Sequence, residues 1–234
     1  ALVLNRVHHK IKQLMKNQRA LEFLWTADGN KNHTMFTHVL HTHYASPVGY
    51  DWENPGVEHV HDGNVMTRAQ QFVDHMRFRA QSYRTNHIMV PFGDDFKFRQ
   101  ADVQYNNMDK IIDYVSSKMV NVKIKYATPS EYFDILFKET TNLAFPVYKN
   151  DFFPYADNED SYWTGYYTTL PVLKKRSREG EAALNAAESA LAFARIMESG
   201  GNTSPVIVNT NWLQMGTNIQ LAREDVAVSQ HRTR

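Results

Sequence analysis

His87-Ile88-Met89-Val90-Pro91-Phe92-Gly93-Asp94-Asp95-Phe96 is an apolar run released by a glycine into two adjacent carboxylates. A run of this length between turn signals predicts a buried strand over residues 87–92, ending at Gly93. Outward from it, residues 66–84 and 102–118 have helical spacing, residues 122–126 form a second strand candidate, and Pro129-Ser130 opens a helix to about residue 139. Toward the N-terminus, residues 35–40 and 21–25 are strand candidates, the latter followed by the turn residues Asp28-Gly29-Asn30, and residues 2–19 place Leu4, Val7, Ile11, Leu14 and Met15 near helical spacing. Strands alternating with helices predict an α/β domain with a largely parallel sheet over residues 1–157, its ligands at the carboxyl ends of the strands. The pattern changes beyond residue 157. Residues 180–199 and 212–228 are helical, joined by Ser199-Gly200-Gly201-Asn202, and only Val206-Ile207-Val208 is ambiguous. An all-α, helical-bundle domain is therefore expected over residues 158–234.

Charge narrows the partners. With 26 Lys and Arg against 25 Asp and Glu, no global field favours nucleic acid or an anionic membrane, and a neutral substrate fits better. Tyr and Trp, 12 and 4 in number, are rings that line sugar sites as readily as they fill cores. The absence of Cys excludes disulfides, thiolate nucleophiles and Cys-bound zinc. No apolar run approaches the roughly 20 residues of a membrane span. Two sequons, at Asn32 and Asn202, would permit glycosylation in a secretory lumen. The chain begins without Met inside a helical pattern and ends at His231-Arg232-Thr233-Arg234 without a stop signal, so a fragment of a longer protein is expected.

Asp94 and Asp95 are the most informative chemistry. Adjacent carboxylates after a glycine can be held in different environments, one ionised and one protonated, as acid catalysis requires. The same pair also caps helices and lines solvated turns. The stretch 44–63 holds Pro47, Gly49, Pro55, Gly56 and Gly63, a long loop of the kind that carries function. His41-x-His43 and His59-x-His61 have a spacing zinc can use, although solvated loop histidines are the simpler reading. Lys174-Lys175-Arg176 reads as a solvated helix face.

The run from Tyr83 to Phe96 resembles the segment of family 38 glycoside hydrolases, the class II α-mannosidases, that carries their acid/base Asp. Ordered matches accompany it: Leu21-Glu22-Phe23-Leu24-Trp25, Phe36-Thr37-His38-Val39-Leu40, His43-Tyr44-Ala45-Ser46-Pro47, Asn107-Met108-Asp109-Lys110, Asp151-Phe152-Phe153-Pro154-Tyr155-Ala156-Asp157 and Tyr162-Trp163-Thr164-Gly165-Tyr166. The last two look more lysosomal than Golgi-type. The resemblance implies that the α/β part belongs to a catalytic domain acting on α-mannose-terminated glycans in a lysosomal or secretory lumen. It also implies a zinc ion holding the terminal mannose, and retention through a covalent intermediate formed between carboxylates about 5 Å apart. Asp95, immediately before Phe, would be the acid/base, and Tyr44 and Asp94 would contact the sugar.

Departures from the family pattern are as specific. The early zinc ligands and the attacking Asp would lie upstream of residue 1. Arg232 stands where the family has a zinc-binding His, and His231 matches only the His before it, so no metal ligand is assigned in this chain. Thr26 replaces an Arg and Ala45 a polar residue. Two other readings follow: a sugar-binding module without catalysis, or a hydrolase using Asp94 and Asp95 against each other, which adjacent side chains diverging from a strand end disfavour.

Overall fold

The computed structural model describes residues 1–29, 33–200 and 211–230. Asn32, Asn202, residues 206–208 and His231-Arg232 therefore lie outside the described residues. Two compact units divide the chain, Ala1–Tyr162 and Trp163–Arg234.

The first unit is built on a small mixed sheet with helices around it, an α/β arrangement. Its strands are β1 (Leu2–Leu4), β2 (Glu22–Trp25), β3 (Met35–Val39) and β4 (Val147–Tyr148), in the order β1-β3-β2-β4. β1 with β3 and β2 with β4 are parallel, whereas the central pair is antiparallel, with Glu22 opposite His38 and Trp25 opposite Met35. The largely parallel sheet expected from the alternating pattern is thus corrected. Only a short connection separates β2 from β3, too short for the crossover that parallel neighbours need.

The expected helix over residues 2–19 is also corrected. Leu2–Leu4 pairs with β3, and the helix α1 runs only over His9–Asn17, with the His8 ring accepting from the Lys10 N–H at 3.2 Å. A three-residue apolar run has no period of its own, so a neighbouring strand decided it. Val7 and Met15 are buried with Leu21, Phe23, Val39, Tyr83 and Phe152 in one core cluster.

A second cluster joins Tyr50, Trp52 and Val60 of the long loop to α2 (Val65–Ala80) and α3 (Ala101–Lys118). Residues 87–92 and 122–126, both expected as strands, form no regular element and join no ladder among the described residues. Ile88, Val90 and Phe92 of the first, and Val122 and Ile124 of the second, still lay their side chains on this cluster. Apolar patterning therefore marked which side chains face the core, although they are half-buried rather than fully buried. A strand also needs a partner backbone, and Pro91 withholds one donor. Helix α4 (Pro129–Glu139) opens on a capping box in which Thr128 and Glu131 satisfy each other's backbone N–H.

The second unit, taken by itself, has a short 3₁₀ turn, Thr164–Tyr167, followed by α5 (Pro171–Ser199) and α6 (Trp212–Gln230). α5 starts nine residues before the expected position 180, because Pro171 occupies its first turn and the basic run 174–176 finds an acid one turn on, Arg176 meeting Glu179 at 3.0 Å. The two helices touch where Gly180 faces Val226, and Ser229 Oγ lies 3.1 Å from Ser177 Oγ.

Candidate active site

Asp95 does not sit at the end of a strand, because residues 87–92 form none. It stands in a turn that Gly93 makes possible: Gly93 has φ 142, a conformation that favours glycine. The Lys97 N–H then donates to the Asp94 carbonyl at 3.2 Å, closing the turn, and the Asp95 N–H donates to Asp94 Oδ1 at 2.7 Å. Both carboxylates are exposed. Asp94 is thereby used partly by the turn's own backbone, the turn-forming role that its position after glycine allowed.

The 44–63 loop supplies the rest. Tyr44 Oη donates to Asp95 Oδ1 at 3.3 Å across 51 residues of sequence. Beside it, the His43 ring lies 3.9 Å from the Tyr44 ring. Ser46 grips the other end of the turn: its N–H donates to the Gly93 carbonyl, and its Oγ accepts the Gly93 N–H, each at 2.9 Å.

Further along the loop, Lys97 Nζ reaches Asp51 at 2.8 Å and Asn54 Oδ1 at 2.9 Å. Burial opposes the Asp51 charge, but hydrogen bonds from Lys97 and Gln104 outweigh it and hold that carboxyl below its ordinary range. Hydrogen bonding to Asp51 correspondingly raises the Lys97 ammonium. Two buried amides of α3 fix the loop, with Trp52 N–H donating to Gln104 Oε1 at 3.3 Å and Val60 N–H to Asn107 Oδ1 at 2.6 Å. None of these loop and helix residues was singled out as part of a site from the sequence. The signals present were the turn-rich loop 44–63 and two polar residues on the inner face of α3, Gln104 and Asn107.

A cleft of about 270 Å³ opens where β1 and β3 end, bounded by Asn5, His9, Lys12, His41, His43 and Asp157. His41 is buried, which corrects its reading as a solvated loop histidine. Burial, then the charges of Lys16 and Arg79, push its ring down to about 3. Burial likewise lowers Lys12 to about 8. His43, His59 and His61 are exposed, and the His61 ring accepts the Gly63 N–H at 3.1 Å. Among the described residues, no three His, Asp or Glu side chains converge as a cation would require.

Two sequence motifs hide a buried pair. Glu22 of β2 and His38 of β3 are both fully buried, with His38 Nδ1 2.9 Å from Glu22 Oε1 and Tyr132 Oη donating to the same oxygen at 3.1 Å. Thr26, where an Arg was expected by resemblance, is buried too, its Oγ1 donating to Asp28 at 3.1 Å and its N–H to the Tyr148 carbonyl at 3.0 Å.

Residues 1–158 match the sequence profile described as the glycosyl hydrolases family 38 N-terminal domain. The chain is similar to lysosomal alpha-mannosidase of Dictyostelium discoideum, at 31% identity over 99% of this chain and 23% of that protein. It is also similar to alpha-mannosidase 2x of Mus musculus, at 33% identity over 86% of this chain and 20% of the relative. Alpha-mannosidase 2 of Drosophila melanogaster is 32% identical over 82% of this chain and 20% of its own length. The chain thus spans about a fifth of these relatives, between 20% and 23% of their length.

Proposed function

This chain belongs to glycoside hydrolase family 38, and from that premise we propose that the full-length protein carrying it is a retaining, zinc-dependent α-mannosidase with Asp95 as its acid/base. The observation that supports this most directly is the contact between Tyr44 Oη and Asp95 Oδ1, 3.3 Å apart, which joins two residues assigned separately from their motifs. In the first step the protonated Asp95 gives its proton to the glycosidic oxygen as the bond to the anomeric carbon breaks, while a second carboxylate, supplied by the full-length protein from a segment other than residues 1–234, forms the new ester bond to that carbon. In the second step Asp95 takes a proton from water as the water oxygen displaces the ester. Tyr44 steadies the Asp95 carboxylate whenever it is charged. Zinc would hold ring hydroxyls of the terminal mannose through donors that also come from segments other than residues 1–234. The substrates are α-mannose-terminated glycans, in a lysosomal or other secretory lumen, and the helices after residue 158 belong to a helical middle domain.

The test is Asp95→Asn in the full-length protein, read as kcat/KM, which reports glycosyl transfer to the enzyme and excludes the later hydrolysis step. A benzyl α-mannoside, whose leaving oxygen needs a proton, should lose about 100- to 10,000-fold. A dinitrophenyl α-mannoside, whose leaving group departs unprotonated, should lose less than about tenfold. Equal losses remove Asp95 from the acid role.

A further inference from the structure

The turn carrying Asp95 is held from outside by a carboxylate that takes no part in the chemistry above, and we propose that Glu53 is a positioning residue for the acid/base. The inference rests on Asp95 having that role. Phe96 and Phe98 both adopt φ 61, a left-handed conformation that disfavours side chains with a Cβ. A turn with two such residues persists only where its surroundings impose it. Glu53 does so with both oxygens, Oε2 accepting the Phe98 N–H at 2.8 Å and Oε1 the Gln100 N–H at 2.5 Å. Charge-assisted bonds from one carboxylate to two backbone donors are strong and directional. They fix the main chain immediately after the catalytic turn.

Glu53 is itself held. Its N–H donates to Asp51 Oδ1 at 3.3 Å, and Asp51 accepts from Gln104 Nε2 at 2.7 Å. Trp52, beside it in sequence, is 3% exposed within the second core cluster. A rigid path therefore runs from α3 through Gln104, Asp51 and Trp52 to Glu53, and from Glu53 to the turn. Asp95 is an exposed residue, so the main chain of the turn together with its polar contacts, rather than core packing, orients it. Displacing a catalytic group by about 1 Å can cost of order 100-fold in rate, which makes the anchoring of this main chain consequential for proton transfer.

Glu53→Gln in the full-length protein is the direct test. The amide keeps one accepting oxygen and turns an NH₂ toward the other N–H, so one of the two bonds is lost and replaced by repulsion. We expect kcat/KM for the benzyl α-mannoside to fall about tenfold and that for the dinitrophenyl α-mannoside to change less than about twofold. The limb of the pH profile that reports the acid should move with it. Glu53→Asp, which keeps the charge with a shorter reach, should fall between, and it decides the question if the Gln variant does not fold. Equal losses on both substrates with an unmoved pH profile, or no loss on either, overturn the positioning role while leaving Asp95 in place. If the unsubstituted protein turns over neither mannoside, or Asp95→Asn affects both alike, the reading of the site falls and this inference with it.

Discussion

At the scale of single residues, the site depends on contacts between short motifs far apart in sequence. Tyr44 and Asp95 each stand in a motif that could be named from the sequence, and their hydrogen bond joins the two. His41 shows the opposite case, a residue whose chemistry is set by what surrounds it. Buried with its Nδ1 unpartnered, its ring is pushed down to about 3, from an ordinary 6.5. Above about pH 6.5 the folded and unfolded chains both carry a neutral ring and the group contributes nothing to pH dependence. Below that, the unfolded chain takes up a proton the folded chain does not, so stability falls as pH drops toward 3, by about 2 kcal/mol at about pH 5. An NMR titration of labelled histidine rings should find His41 neutral until below about pH 4. A midpoint near the ordinary value would show that burial does not control it.

At the scale of elements, three helices and two strands were legible, β2 and β3 lying within a residue of the expected 21–25 and 35–40. α2, α3 and α4 fall close to where spacing and caps placed them, since an α-helix closes its hydrogen bonds within itself. Residues 87–92 and 122–126 carry strand-like apolar patterns and join no ladder among the described residues, since a strand's hydrogen bonds belong to its neighbour. The cap of α4 can be tested directly. Thr128 Oγ1 accepts the Glu131 N–H at 3.3 Å, and Glu131 Oε2 accepts the Thr128 N–H at 2.7 Å. Thr128→Ala should cost about 1 kcal/mol, a local loss that speeds hydrogen exchange in the first turn of α4 about fivefold. Unchanged exchange there would mean that Phe133 and Leu136, both buried, hold the helix without its cap.

At the scale of the whole molecule, the acid/base turn is one half of a two-carboxylate mechanism. The attacking carboxylate and the zinc donors are proposed to come from segments of the full-length protein other than residues 1–234, so the 234-residue chain expressed by itself should be catalytically silent. It should also associate with itself or demand partner segments. Among the described residues β1 pairs on one side only, with β3, and its Val3 is 41% exposed. Calorimetric titration with zinc and an assay on an aryl α-mannoside check both halves of this expectation. Submicromolar zinc binding accompanied by turnover would place a complete site within the chain.

What the sequence determined by itself were properties local to a few residues: the family motif ending in Asp95-Phe96, the glycine that lets the chain turn there, the helices α2, α3 and α4, and the apolar faces that pack on the core. Tertiary structure alone decided the antiparallel central pair of the sheet, the buried meeting of Glu22 with His38, and the grip of Ser46, Asp51 and Glu53 on the turn. Each of these joins residues from different elements. Such a bond has no local period or spacing to announce it, because its energy exists only after packing has brought the two partners together and excluded water from between them.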